Sequence, residues 1–169
     1  VLYFSINFFP KFAYIKNRIS SFFNTETGTH NAQSEKAIES ITSGGFFGKG
    51  IGEGTLKNKV PEAHTDYIIS VISEEFGVIA IILILLIFLI FIYSVFKKVY
   101  LVNEERTKLV LVGCISLILL QAMIHIGVNI RLFPTTGMTL PFLSYGGSSI
   151  ISTSILAGII LNLTKRKIN

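Results

Sequence analysis

Residues 76–96 read FGVIAIILILLIFLIFIYSVF, a run of 21 residues without a charge. A helix of that length crosses a hydrocarbon core of about 30 Å. Two further runs resemble it. Residues 109–130 (LVLVGCISLILLQAMIHIGVNI) carry no Asp, Glu, Lys or Arg, and residues 142–164 are uncharged but richer in Gly and Ser. Backbone groups in lipid must bond internally, so each run is expected to be a helix. The fold class expected is an all-α integral membrane protein, a polytopic helical bundle with spans near 67–96, 109–130 and 143–164.

Composition agrees. Half of the 169 residues are apolar and only 15% are charged, against a usual charged share of about a quarter. Mean hydropathy is +0.63. Enough Phe, Ile and Leu are present to exclude disorder. The single cysteine, Cys114, excludes an intrachain disulfide. A net charge of +5 could suggest nucleic acid, but the basic residues flank the apolar runs, as membrane flanks do. No nucleic-acid partner is expected.

Orientation follows from the short loops. Lys97, Lys98, Arg106 and Lys108 separate the first two spans, and Lys165, Arg166 and Lys167 follow the third. Only Arg131 lies between the second and third. Basic residues favour the cytoplasm. The 97–108 loop and the C-terminus are therefore expected inside, and residues 13–65 and 131–143 outside. Tyr93 and Tyr100 are candidate anchors at the inner interface. Residues 1–12 (VLYFSINFFPKF) are apolar but too short to span, and are read as the outer end of a truncated transmembrane helix. Residues 13–65 form a polar extracytoplasmic loop region with one helix expected near 31–43, then a glycine-rich stretch over 44–54. Residues 66–169 form the membrane domain.

Several site signals fail their context. The sequence GKGIGEG over 48–54 echoes a dinucleotide-binding fingerprint but follows no strand and opens no helix. Gly48-Lys49 lacks the Ser or Thr that ends a P-loop. A flexible hairpin, with glycines taking unusual dihedrals, is the favoured reading there. His30, His64 and His125 lack metal-ligand spacing. The sequon at Asn162 faces inward.

The segment PEAHTD over 61–66 runs straight into the first span. Thr65 or Asp66 can cap that helix. Asp66, Ser70, Ser73, Glu74 and Gly77 share one face at helical spacing. The 31 residues from Asp66 to Phe96 make about 46 Å of helix, longer than the apolar core. The first turns then lie at the outer headgroup level or line a cavity, and Asp66 reads as a cap, a solvated charge or a catalytic group. Glu74 and Glu75 lie deeper, where ionisable groups face protein or water. Gln121, His125 and Asn129 form a polar stripe on the second span, expected to hydrogen-bond between helices or to face a substrate groove. Ser144-Tyr145-Gly146-Gly147-Ser148-Ser149 opens the third. Small residues there let helices approach closely; a serine nucleophile would lack a His–Asp pair.

Taken together, the motifs resemble the SEDS family, the group comprising FtsW, RodA and SpoVE, over nearly the whole chain. The sharpest matches are PEAHTD with Tyr67, and PTTGMTLPFLSYGGSS over 134–149. Arg18, Gln33-Ser34, the Gly44 to Gly52 ladder, Lys57 and Glu75-Phe76-Gly77 support them. Ala63 is closer to the division-type FtsW branch. His125 and Arg131 stand where the family usually has Asn and Gly, and the loop between Gly52 and Pro61 is about one residue short.

The resemblance implies a peptidoglycan glycosyltransferase of the cell-division machinery in the bacterial inner membrane. Such proteins have ten spans and polymerise lipid II on the outer face. A class B penicillin-binding protein transpeptidase and other divisome proteins are the implied partners, together with the N-terminal spans that this chain lacks. Without those spans the chain alone is expected to be inactive. Asp66 matches the family's essential aspartate and is the candidate general base of an inverting transfer. Arg18, Lys57, Glu62, His64, Ser144, Gly146 and Gly147 are candidate substrate-binding residues. The cation for the departing diphosphate would be Arg18, Lys57, Lys49 or a divalent metal (Mg or Mn); no protein metal site is expected. The alternatives are a non-catalytic scaffold, a gene remnant or a precursor flippase. A flippase should carry charge at mid-span, and spans 76–96 and 109–130 carry none.

Overall fold

The computed structural model describes residues 29–60 and 63–165. The segment 1–12, Arg18 and Glu62 lie outside the described residues. Within them the chain forms five helices: α1 (Thr29–Gly44), α2 (Leu56–Lys59), α3 (Ile68–Leu101), α4 (Glu105–Asn129) and α5 (Gly147–Lys165). Helices α3, α4 and α5 are each long and apolar enough to cross a membrane. They match the three expected spans, and α1 covers the helix expected near 31–43.

Packing divides the molecule into an outer layer and a three-helix body. At one end Ala37 of α1, Leu56 of α2, Val60, Ala63, Tyr67, Val71 of α3 and Val128 of α4 form one buried cluster. At the other end Val95, Val102, Leu111, Ile115, Ile118 and Ile160 join α3, α4 and α5. Ile69, Ala122 and Leu140 connect the two. The 102–104 connection thus lies at the end opposite α1, α2 and the 130–146 turn. Tyr93 and Tyr100 are exposed towards it. The most apolar window of α3 is only 6% buried, so its side chains face outward, as lipid-facing or helix-facing residues do.

The first span departs from the continuous helix expected from Asp66 onward. Tyr67 occupies its N-cap position, and the helix is interrupted at Gly77, with φ 78° and ψ −179°. That backbone conformation is open almost only to glycine. A helix break leaves N–H and C=O groups without intrahelical partners. The glycine-rich loop supplies them. Lys49 N donates to Glu74 O (2.8 Å), Gly50 N to Glu75 O (3.1 Å), Val78 N to Gly45 O (3.0 Å) and Ile79 N to Phe46 O (3.5 Å). The stretch expected as a flexible hairpin is therefore laced to α3. Its glycines do take positive φ, at Gly45, Gly48, Gly50 and Gly52. Gly48 has a second constraint, because a Cβ there would overlap the Glu75 carbonyl.

Candidate functional site

The turn 63–67 carries Asp66 into α3, and its main chain is gripped one carbonyl at a time. His64 O accepts from Tyr145 N at 3.1 Å. Thr65 O accepts from Ser144 Oγ at 2.8 Å and lies 3.3 Å from His125 Nε2. Asp66 O accepts from Asn129 Nδ2 at 2.9 Å. A carbonyl can only accept, so the contact with Thr65 O requires a proton on His125 Nε2. Asn129 Oδ1 then takes both Ser70 N (3.2 Å) and Ser70 Oγ (2.8 Å). One amide from α4 thus satisfies an orphan donor in the first turn of α3 and holds the residue that precedes it. Asp66 itself is 7% exposed, and its neighbours Ala63 and Tyr67 are fully buried.

A second group of charges braces this turn from the side. Glu74, 1% exposed, accepts from Lys49 Nζ (2.9 Å), Thr55 Oγ1 (3.1 Å) and Leu56 N (2.9 Å). A buried carboxylate is tolerated when its lone pairs are filled in this way. The bond to Leu56 N also caps α2, whose Leu56 packs in the same cluster as Tyr67. Lys57 Nζ donates to Gly52 O (2.7 Å) and Glu75 Oε1 (3.0 Å). The two lysines are thereby neutralised by the two glutamates. Glu74 faces protein, as expected for an ionisable group at its depth. Thr55 was not foreseen, and Ser70 was placed on the Asp66 face without its partner; the bonds span 19 and 59 residues in sequence, so no local pattern announces them.

The other candidate residues divide by position. Ser144 is buried and uses its hydroxyl twice, accepting from Leu140 N at 2.8 Å and donating to Thr65 O. Its role in the described structure is to seat the turn that bears Asp66. His64 is exposed. Gly147 opens α5 with free space where a Cβ would stand, while a Cβ on Gly146 would lie 3.1 Å from Thr139 Cγ2. The polar stripe on α4 bonds across elements: Gln121 Nε2 reaches Thr139 O (2.9 Å) and Ser149 Oγ (3.2 Å), beside the His125 and Asn129 contacts above. Among the described residues no three His, Cys, Asp or Glu side chains converge as metal ligands.

The sequence model of the FtsW, RodA and SpoVE proteins, described as "Cell cycle protein", matches residues 2–169. The chain belongs to the FtsW/RodA/SpoVE family. Among its relatives, the probable peptidoglycan glycosyltransferase FtsW of Caulobacter vibrioides is 37% identical over 157 residues, covering 92% of this chain and 40% of that protein. The proteins of the same name from Enterococcus hirae and Trichlorobacter lovleyi are 36% and 39% identical, covering 93% and 90% of this chain and 40% and 41% of theirs. The chain thus spans about 40% of the length of these FtsW relatives. A solved structure, from work on structural coordination of polymerization and crosslinking by a peptidoglycan synthase complex, superposes with a TM-score of 0.74 at 23% identity. It covers 96% of this chain and 44% of the other. At that identity the match shows a shared fold alone.

Proposed function

We propose that this chain is the C-terminal portion of a peptidoglycan glycosyltransferase that polymerises lipid II, with Asp66 as the general base. The supporting observation is the grip on residues 64–66. Three successive carbonyls are held by four groups from α4 and the 140–146 turn, which fixes the approach of one carboxylate at the head of a span. Positioning of that kind is what base catalysis requires. The reaction is a single inverting displacement. The acceptor 4-hydroxyl oxygen bonds to the donor anomeric carbon and gives its proton to the Asp66 carboxylate. The bond from that carbon to the diphosphate breaks, and the diphosphate leaves with the electron pair.

The leaving group needs positive charge. Lys49 and Lys57 are committed to Glu74 and Glu75, which favours Arg18, whose planar fork suits phosphate oxygens. The partners in this reading are the remaining spans of the protein, a class B penicillin-binding protein transpeptidase and other divisome proteins. Radiolabelled lipid II is the test. The complete protein with its transpeptidase should extend glycan chains, and this chain alone should give none. No product from the folded, membrane-inserted complete protein would overturn the assignment; robust synthesis by the chain alone would overturn its dependence on the other spans.

In this reading the site lies on the outer face of the cytoplasmic membrane, with the C-terminus inside. The basis is the clustering of Lys97, Lys98, Arg106, Lys108 and Lys165 away from the Asp66 end. Cysteine labelling of intact cells, after Cys114 is replaced, should modify a cysteine at Lys59 and spare one at Asn103. The reverse pattern would invert the topology and remove Asp66 from the outer face.

A further inference from the structure

The loop between α1 and α2 exposes three large apolar side chains that the site described above does not use. Phe46 is 73% exposed, Phe47 84% and Ile51 80%. Such a cluster is unfavourable in water and marks a surface meant to be covered. Its height is set by backbone bonds. The carbonyls of Gly45 and Phe46 accept from Val78 and Ile79, in the first turn of the uncharged run that begins at Phe76. The loop therefore sits level with the outer edge of the apolar span. Phe76, Ile79, Ile82 and Leu83 are also exposed there, so the patch lies beside the apolar belt of α3.

Two further features suit a non-aqueous setting. The N–H groups of Gly48, Lys49 and Gly50 are all bonded to main-chain carbonyls. A loop in water has no need of such pairing; a loop at the edge of lipid does. Lys49 is the sole charge between Gly44 and Gly52, and its ammonium turns back to Glu74 at 2.9 Å. The loop tip thus presents apolar side chains and no unpaired charge. We propose that residues 46–51 form an interfacial membrane anchor, in which Phe46, Phe47 and Ile51 insert into the outer leaflet at the boundary of headgroups and acyl chains. Apolar side chains at that depth bind by area buried in lipid. Because the loop is laced to the break at Gly77, the anchor also fixes the height of the helical segment that leads back to Asp66.

The test uses the complete protein in a cysteine-free background, with Cys114→Ser in this chain. Single cysteines replacing Phe47 or Ile51 carry a bimane probe, and the protein is reconstituted in phosphatidylcholine vesicles. Lipids brominated at the 6,7 carbons should quench both probes more strongly than lipids brominated at 11,12, and aqueous iodide should have little effect. Probes at Ile82 and Lys59 calibrate the scale, the first quenched by the deeper bromines and the second by iodide only. Iodide quenching without bromolipid quenching at both positions would show a loop in water and overturn the anchor. Protection from both quenchers would show a protein-covered patch and overturn it equally. Since Phe47 and Ile51 are separate, highly exposed positions, misfolding of one variant leaves the other to decide.

Discussion

Asp66→Asn in the complete protein is expected to lower lipid II polymerisation by about 10²–10⁴-fold, the contribution typical of a positioned base. The amide keeps the size of the carboxylate but cannot take the acceptor hydroxyl proton. The fold should survive, because the contacts from Asn129, Ser144, His125 and Tyr145 all fall on the main chain of residues 64–66 and do not depend on the Asp66 side chain. The loss should therefore appear in kcat, with KM for lipid II little changed. Glu62→Gln and His64→Gln serve as comparisons. A purely structural motif would make all three variants similarly harmful, whereas a base makes Asp66→Asn far worse than the other two. Near-normal glycan synthesis by Asp66→Asn at matched membrane levels would remove it as the base.

The spans were legible in the sequence because nothing local competes with an uncharged run of twenty or more residues. The polar face of the Asp66 segment was legible for a related reason. Asp66, Ser70, Ser73, Glu74 and Gly77 share helical spacing, and all five are buried. The break at Gly77 was not legible. A lone glycine inside an apolar run usually reads as a tolerated residue or a packing contact, and the partner that forces the break lies some thirty residues earlier, in the loop after α1. The same applies to Asn129. Its place on a polar stripe pointed to interhelical bonding, but its specific task, holding Asp66 O and Ser70 together, depends on the 64–70 segment meeting the end of α4. Ser144 illustrates the reverse case. Its motif marks it as important, and only the contacts to Leu140 N and Thr65 O show that its hydroxyl works on the chain. What the sequence conveys poorly, in each instance, is a backbone group on one element satisfied by another far along the chain.

Gly77→Ala should disrupt the outer layer. The dihedrals φ 78° and ψ −179° cost a residue with a side chain about 1–3 kcal/mol. In addition, the new Cβ would overlap the Phe46 carbonyl. The chain can escape only by straightening α3 through residue 77. A continuous helix would re-pair Val78 and Ile79 N–H within α3 and take the Glu74 and Glu75 carbonyls away from Lys49 and Gly50. The loop 45–50 would then lose its backbone partners, and residues 68–76 would rotate relative to the span, carrying the Asn129 and Ser70 contact out of register. The expected result is faster proteolysis within 45–60, an intact membrane-embedded fragment and loss of polymerisation. Gly113→Ala is the matched comparison. Gly113 lies inside α4 with nothing within 4 Å of its added Cβ, so the change should be neutral or stabilise by up to about 1 kcal/mol through helix propensity. Wild-type protease resistance and activity in Gly77→Ala would mean that the break is dispensable and that the lacing of loop to helix does not hold Asp66 in place.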